Sequence, residues 1–383
     1  MHKFFALTII FISCVSCSSP SGHRSGDAAL CDSVAAEPSR LTLLFVGDLM
    51  QHITQIKAAA CDDGTYDYAD CFRRVRDEIR RADVAVANLE VTLGGKPYRG
   101  YPLFSAPDEY LMAIRDAGFD VLLTANNHAL DRGARGLQRT IHMLDSLGLQ
   151  QAGTYVDSLA RTRRYPLMIT QNGWRVALLN YTYGTNGLTV CSSQVVNYID
   201  RDVMARDIAA AKAMHPDVVI ACMHWGDEYR LLPNAEQREL ADWLLSQGVH
   251  HIVGAHPHVV QPLEVRTDSL TGEKHVVAYS LGNFLSNMSR QDTDGGLMLR
   301  MTLEKDSCVR LLHSDYLLTW VSRPDVSGHK VHRIYRVDSI VDTLNAEEQE
   351  LLRNFSGSAR RLFEKHNRGI EEYAPARQES GCK

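Results

Sequence analysis

Five short apolar runs, each breaking directly into Asp, Glu, Asn or His, constrain this chain more than any other feature of its sequence. Residues 41–46 run into Gly47-Asp48, residues 84–87 into Asn88-Leu89-Glu90, and residues 121–123 toward Asn126-Asn127-His128. Residues 218–222 stop just before His224, and residues 251–253 just before His256. Unbroken apolar runs of this length mark strands buried on both faces. Between them, apolar residues fall at helical spacing over residues 72–81, 110–117, 137–147, 202–214 and 235–246. Strand alternating with helix predicts a layered α/β architecture, and in such sheets ligands gather at the carboxyl ends of the strands. A further run at 176–179 leads into the loop 181–187, rich in Gly and Asn, which either lines that pocket or is a plain turn.

From residue 275 the pattern changes. Strand-like segments at 275–280, 296–303, 309–319 and 332–337 precede a charged helix over 346–366. They are read as a second sheet of the same domain, with the polar residues 369–383 as a frayed end. The other end of the chain reads as a targeting segment: Lys3, an apolar stretch over 4–12, then Ser13-Cys14-Val15-Ser16-Cys17. This predicts a lipoprotein signal over 1–17, lipidated at Cys17 with Cys14 as the alternative, a flexible tether over 18–40, and a lipid-anchored or secreted protein of the bacterial cell envelope. The apolar stretch is too short for a membrane span, which needs about 20 residues. Of nine cysteines, seven remain after Cys14 and Cys17, so an oxidising compartment leaves at least one unpaired; Cys61 and Cys71 are one possible pair. A net charge of −5 argues against nucleic acid as a partner, because binding phosphates demands a basic surplus.

The donor types in the polar clusters are those a divalent transition metal accepts, and no Cys stands among them, which points away from a structural zinc knot. Singly, Asp48, Glu90 or His224 is as well explained by a cap, a surface position or a satisfied core histidine. His256-Pro257-His258 is stronger, since histidines at alternate loop positions can face one point. Two metals about 3.5–4 Å apart, held by one bridging carboxylate and several terminal ligands, suit phosphoester hydrolysis.

Taken in order, Gly47-Asp48, Asn88-Leu89-Glu90, Ala125-Asn126-Asn127-His128 with Asp131, His224-Trp225-Gly226-Asp227-Glu228-Tyr229, Gly254-Ala255-His256-Pro257-His258-Val259 and Tyr279-Ser280-Leu281-Gly282-Asn283-Phe284 resemble the CapA-type capsule or poly-γ-glutamate synthesis proteins (PGA_cap domain). That family is related to the calcineurin-like metallophosphoesterases, and the resemblance spans about residues 41–290. It implies an α/β/β/α sandwich, two sheets flanked by helices, with residues 291–383 completing or capping the domain. It further implies two divalent ions, Mn, Fe or Zn, held by Asp48, His52, Glu90 as the bridge, Asn127, His224, His256 and His258. His128 takes the place of the general acid, and Asp131 that of its orienting carboxylate. Two departures leave alternatives open. The superfamily bridge is Asp, so Asn88 competes with Glu90 for that place, and His52 stands further from Asp48 than its counterpart, so it falls inside or outside the shell. Three functions follow: a metal-dependent hydrolase of a phosphoester or related bond, an accessory protein for assembling, exporting or anchoring an anionic polymer with its synthesis machinery, or a metal-dependent amide hydrolase or transferase acting on poly-γ-glutamate.

Overall fold

The computed structural model describes residues 38–190, 193–326, 328–339 and 343–373. The expected lipoprotein signal over 1–17 with Cys14 and Cys17, all of the expected tether but residues 38–40, and residues 374–383 lie outside them. Two large sheets make the framework. In the nine-stranded sheet the path runs Arg333–Arg336, Val309–Ser322, Gly295–Lys305, Ser39–Leu49, Val84–Leu89, Val121–Leu123, Gln150–Ala152, with Asn283–Leu285 and Glu371–Glu372 paired beside it. The six-stranded sheet runs Leu263–Thr267, Lys274–Ala278, His251–Ala255, Val218–His224, Trp174–Thr182, Leu167–Gln171.

Period-two alternation stacks these sheets. Along Ser39–Leu49, the side chains of Leu41, Leu43 and Phe45 pack with Val176, Leu178 and Ile220 of the other sheet. Leu44 and Val46, on the opposite face, pack with Ile79, Tyr110, Leu111 and Ile114 of flanking helices. On the far side of the six-stranded sheet, the helices Arg201–Ala213 and Ala235–Ser246 contribute Met204, Ile208, Leu240 and Leu244 to the core. The result is the expected sandwich of two sheets flanked by helices.

The late strands depart from the sequence reading. Only Lys274–Ala278 joins the six-stranded sheet; Gly295–Lys305 lies antiparallel to Ser39–Leu49 from Ser39↔Lys305 to Val46↔Met298, and so completes the sheet that carries Asp48. Both strands are eleven residues long, and eight residues of each are paired across the contact. Residues 369–373 are not frayed: Ile370 is buried, and Glu371–Glu372 pairs with Asp315 and Tyr316. The helix expected over 72–81 is broken into Ala69–Phe72 and Arg76–Arg80, with Val75 at φ −117° between them, while Phe72, Val75 and Ile79 still bury their side chains in one core. Cys61 and Cys71 are unbonded, the first exposed and the second buried. Among the described residues, no helix is long and apolar enough to cross a membrane.

Candidate metal centre

The nine-stranded sheet supplies the carboxylates. Ser39–Leu49 and Val84–Leu89 are parallel, and a register shift between Val46 and Asp48 sets Asp48 opposite Asn88. Gly47 permits this: a Cβ there would meet the Gly282 carbonyl oxygen at 1.9 Å. Asn88 Nδ2 donates to Asp48 Oδ1 at 2.7 Å. One residue past the strand, Glu90 is fixed by its N–H to the Leu49 carbonyl at 3.1 Å and is wholly buried, yet among the described residues neither carboxylate oxygen has a hydrogen-bond partner. Burial first, and the charge of Asp48 second, push its pKa well above the ordinary carboxylate value.

The six-stranded sheet supplies the imidazoles. His224 ends Val218–His224; Gly226, φ +86°, then turns the chain, and a Cβ there would strike the Gln237 side chain at 2.6 Å. His256 and His258 follow His251–Ala255 with φ of +100° and +59°, a backbone region costly for residues with a Cβ, and such strain concentrates at functional sites. His224 Nε2 lies 3.8 Å from Glu90 Oε1, and so does His258 Nε2. His258 Nδ1 lies 3.2 Å from Asp48 Oδ2 and 3.0 Å from Asn283 Oδ1. Burial, then the neighbouring histidines, lower the pKa of His224, and burial brings His256 down to about 3. At His258 burial pulls the same way, but the bond and charge of Asp48 outweigh it and raise the pKa.

Two ligand groups result, each with its donor atoms within 4.8 Å of one another: Glu90, His224 and His256, and Asp48, Glu90 and His258. Glu90 belongs to both. Asn127 joins the first, its Oδ1 3.0 Å from His224 Nε2. The open oxygens of Glu90 and the unpartnered Nδ1 of buried His256 are what a cation would satisfy, and mixed nitrogen and oxygen donors without thiolate are compatible with a divalent transition metal. Asn88 spends its amide on Asp48 and lies 3.3 Å from His224 Nδ1, an orienting position, while Glu90 keeps its oxygens free.

His128 and Asp131 form a buried pair, Nδ1 to Oδ2 at 2.7 Å, and the same oxygen accepts the Phe104 N–H at 2.7 Å. The Phe104 ring packs edge-on against His128, 4.6 Å between centroids. Burial raises the pKa of Asp131, against the opposing pull of His128. His52 stands apart from both ligand groups. It precedes the helix Ile53–Ala59, with Nδ1 3.2 Å from Gln55 Oε1 and 3.3 Å from the Asn287 amide nitrogen, so its ring serves the backbone around it.

Two further side chains stand here, one from the loop expected either to line the pocket or to be a plain turn. Tyr183, from the loop 181–187, sets its ring 4.5 Å from that of His256 and stacks on His224 at 6.3 Å. Glu228 forms a third group with His256 and His258. The sequence signal for Glu228 was its place in the motif His224-Trp225-Gly226-Asp227-Glu228-Tyr229, four residues past His224.

The model of the bacterial capsule synthesis protein PGA_cap family matches residues 42–288. The capsule biosynthesis protein CapA of Bacillus anthracis is 31% identical over 264 residues, 65% of this chain and 60% of that protein, so less than two thirds of that relative's length is spanned. The PGA biosynthesis protein CapA of Bacillus subtilis (strain 168) is 30% identical over 282 residues, 70% of each chain. Among solved structures, the NAD nucleotidase NadN of Haemophilus influenzae aligns with a TM-score of 0.46 and 12% identity, covering 88% of this chain and 65% of that one. The extent of the family match makes the chain a member of the bacterial capsule synthesis protein PGA_cap family.

Proposed function

We propose that this is a cell-envelope protein of capsule or poly-γ-glutamate polymer synthesis, and that its buried centre is a metal-dependent hydrolase site acting on a phosphoester or related bond. The observation that carries the reading is Glu90, a buried carboxylate with both oxygens open, shared by two ligand groups beside the His128–Asp131 pair. Asp48, Glu90, Asn127, His224, His256 and His258 would hold two divalent ions, Mn, Fe or Zn, with Glu90 between them. Such ions, when bound, would acidify a water and neutralise the charge of the group attacked.

The chain's own residues do the rest. Asp131 accepts the Nδ1 proton of His128 and fixes the tautomer, which leaves Nε2 as the nitrogen that exchanges protons. As the oxygen of a water that has lost one proton to solvent bonds to phosphorus and the bond to the leaving oxygen breaks, His128 would give a proton from Nε2 to that leaving oxygen. Phe104 shields the imidazole and, through its N–H, holds Asp131. Family membership supports an anionic polymer and its synthesis machinery as partners, and the N-terminal sequence is what speaks for membrane contact through a lipid at Cys17.

The test is His128→Ala assayed beside the parent on phosphomonoesters, phosphodiesters and poly-γ-glutamate. Turnover should fall about 10²–10⁴-fold with metal content unchanged. A metal-loaded parent inert on all three substrates contradicts the hydrolase reading and leaves an accessory role in polymer assembly.

A further inference from the structure

The loop after Val218–His224 is laced to the loop after His251–Ala255 at two points. Trp225 N–H donates to the Ala255 carbonyl at 3.1 Å, and Tyr229 N–H to the Pro257 carbonyl at 2.8 Å. Tyr229 is held at φ +65°, so three non-glycine residues of these two facing loops, Tyr229, His256 and His258, sit in the left-handed region. Strain of this kind, of order 1–3 kcal/mol per residue, persists only where the surroundings over-determine it. Here it fixes the residue between the two lacing points. The Glu228 carboxylate comes within 4.8 Å of donor nitrogens of both His256 and His258. His256 brings an independent observation, a buried Nδ1 without a partner among the described residues. Asp227, next along the chain, is turned elsewhere: its Oδ2 accepts from Asn234 Nδ2 at 3.0 Å, at the start of the following helix.

We infer that Glu228 is a further metal ligand, closing the centre from the solvent side by holding a divalent cation against His256 and His258. Its exposure sets it apart, since Asp48, Glu90, His224, His256 and His258 are all buried. The inner donors are buried, whereas Glu228 faces water, so it is the ligand position open to exchange. The inference rests on the metal-site reading above and adds to it a carboxylate that the superfamily pattern does not contain.

The experiment is calorimetric titration of the metal-stripped full chain with Mn2+, comparing the parent, Glu228→Gln and Asp227→Asn. Both variants remove one negative charge from the same exposed loop, so nonspecific electrostatics are matched. Glu228→Gln should weaken one cation-binding step by about 10–100-fold, while Asp227→Asn stays within about twofold of the parent. A Glu228→Gln titration that overlays the parent overturns the inference and leaves the buried centre intact. A parent that takes up no Mn2+ overturns the inference together with the reading it rests on.

Discussion

Histidines gather at both ends of the six-stranded sheet, and the two gatherings are built differently. At the carboxyl end, His224, His256 and His258 share their surroundings with Asp48 and Glu90, and donor atoms there stand open. At the other end lie His250, His251 and His275, whose Nδ1 atoms are all spent on backbone. His250 Nδ1 accepts the Val219 N–H at 3.0 Å, His251 Nδ1 accepts the Val276 N–H at 3.0 Å, and His275 Nδ1 meets the His250 carbonyl at 2.9 Å. These rings fasten neighbouring strands where the ladder begins. Among the described residues, none of them shares a ligand group with a carboxylate. The same residue type thus fastens strands at one end and stands in candidate metal-holding groups with buried carboxylates at the other.

The sharpest way to break this contrast is at Glu90. Glu90→Gln keeps the shape but removes the shared charge, and Mn2+ affinity should fall at least about 100-fold. Without metal the sign reverses. A carboxyl whose folded pKa is raised contributes stability that is full below its unfolded pKa and is lost as pH rises toward the folded one. Metal-free Glu90→Gln should therefore unfold at higher denaturant concentration than the metal-free parent at pH 8, and the two should converge near pH 4. A variant that binds Mn2+ like the parent would remove Glu90 from the centre.

A smaller effect is expected at the fastening end. His251→Ala leaves the buried Val276 N–H without an acceptor and should lower stability by about 1–3 kcal/mol in denaturant unfolding, with metal content unchanged. His251→Asn, which can still accept that bond, should lose less. Burial lowers His251 from its ordinary value near 6.5 to about 3, so the folded ring stays neutral while the unfolded one takes up a proton. Its stabilisation is accordingly intact above pH 6.5 and erodes as pH falls toward 3, by about 1.4 kcal/mol per pH unit for one proton. His251→Asn should make the acid limb of the stability profile shallower by that one proton. Metal loss from His251→Ala would erase the distinction between the two ends.

Much of this was legible in the chain because buried strands announce themselves. The strands now bounded as Ser39–Leu49, Val84–Leu89 and Val218–His224 were visible as apolar runs, and the residues ending them converge as their order suggested. Sheet membership was not legible. Nothing in residues 295–305 says they will pair with Ser39–Leu49 rather than with Lys274–Ala278, since that choice is made by long-range register. The helix Ile53–Ala59 was missed because it follows the Asp48 cluster directly and is short. At the centre, composition named the donors but not their separations. The competition between Asn88 and Glu90 turns on where the amide of Asn88 is spent, a contact with Asp48, forty residues away in the chain. Glu228 escaped for a related reason: an exposed acid on a loop looks ordinary until Tyr229 and Trp225 are found tied to the loop that carries His256.

The central claim, that the carboxyl-end histidines form a metal centre, is tested most directly by elemental analysis of the protein purified without chelator, beside a His256→Ala/His258→Ala variant. The account predicts about two equivalents of Mn, Fe or Zn in the parent and a clear loss in the variant. A parent that is metal-free as purified and stays so after reconstitution would contradict it.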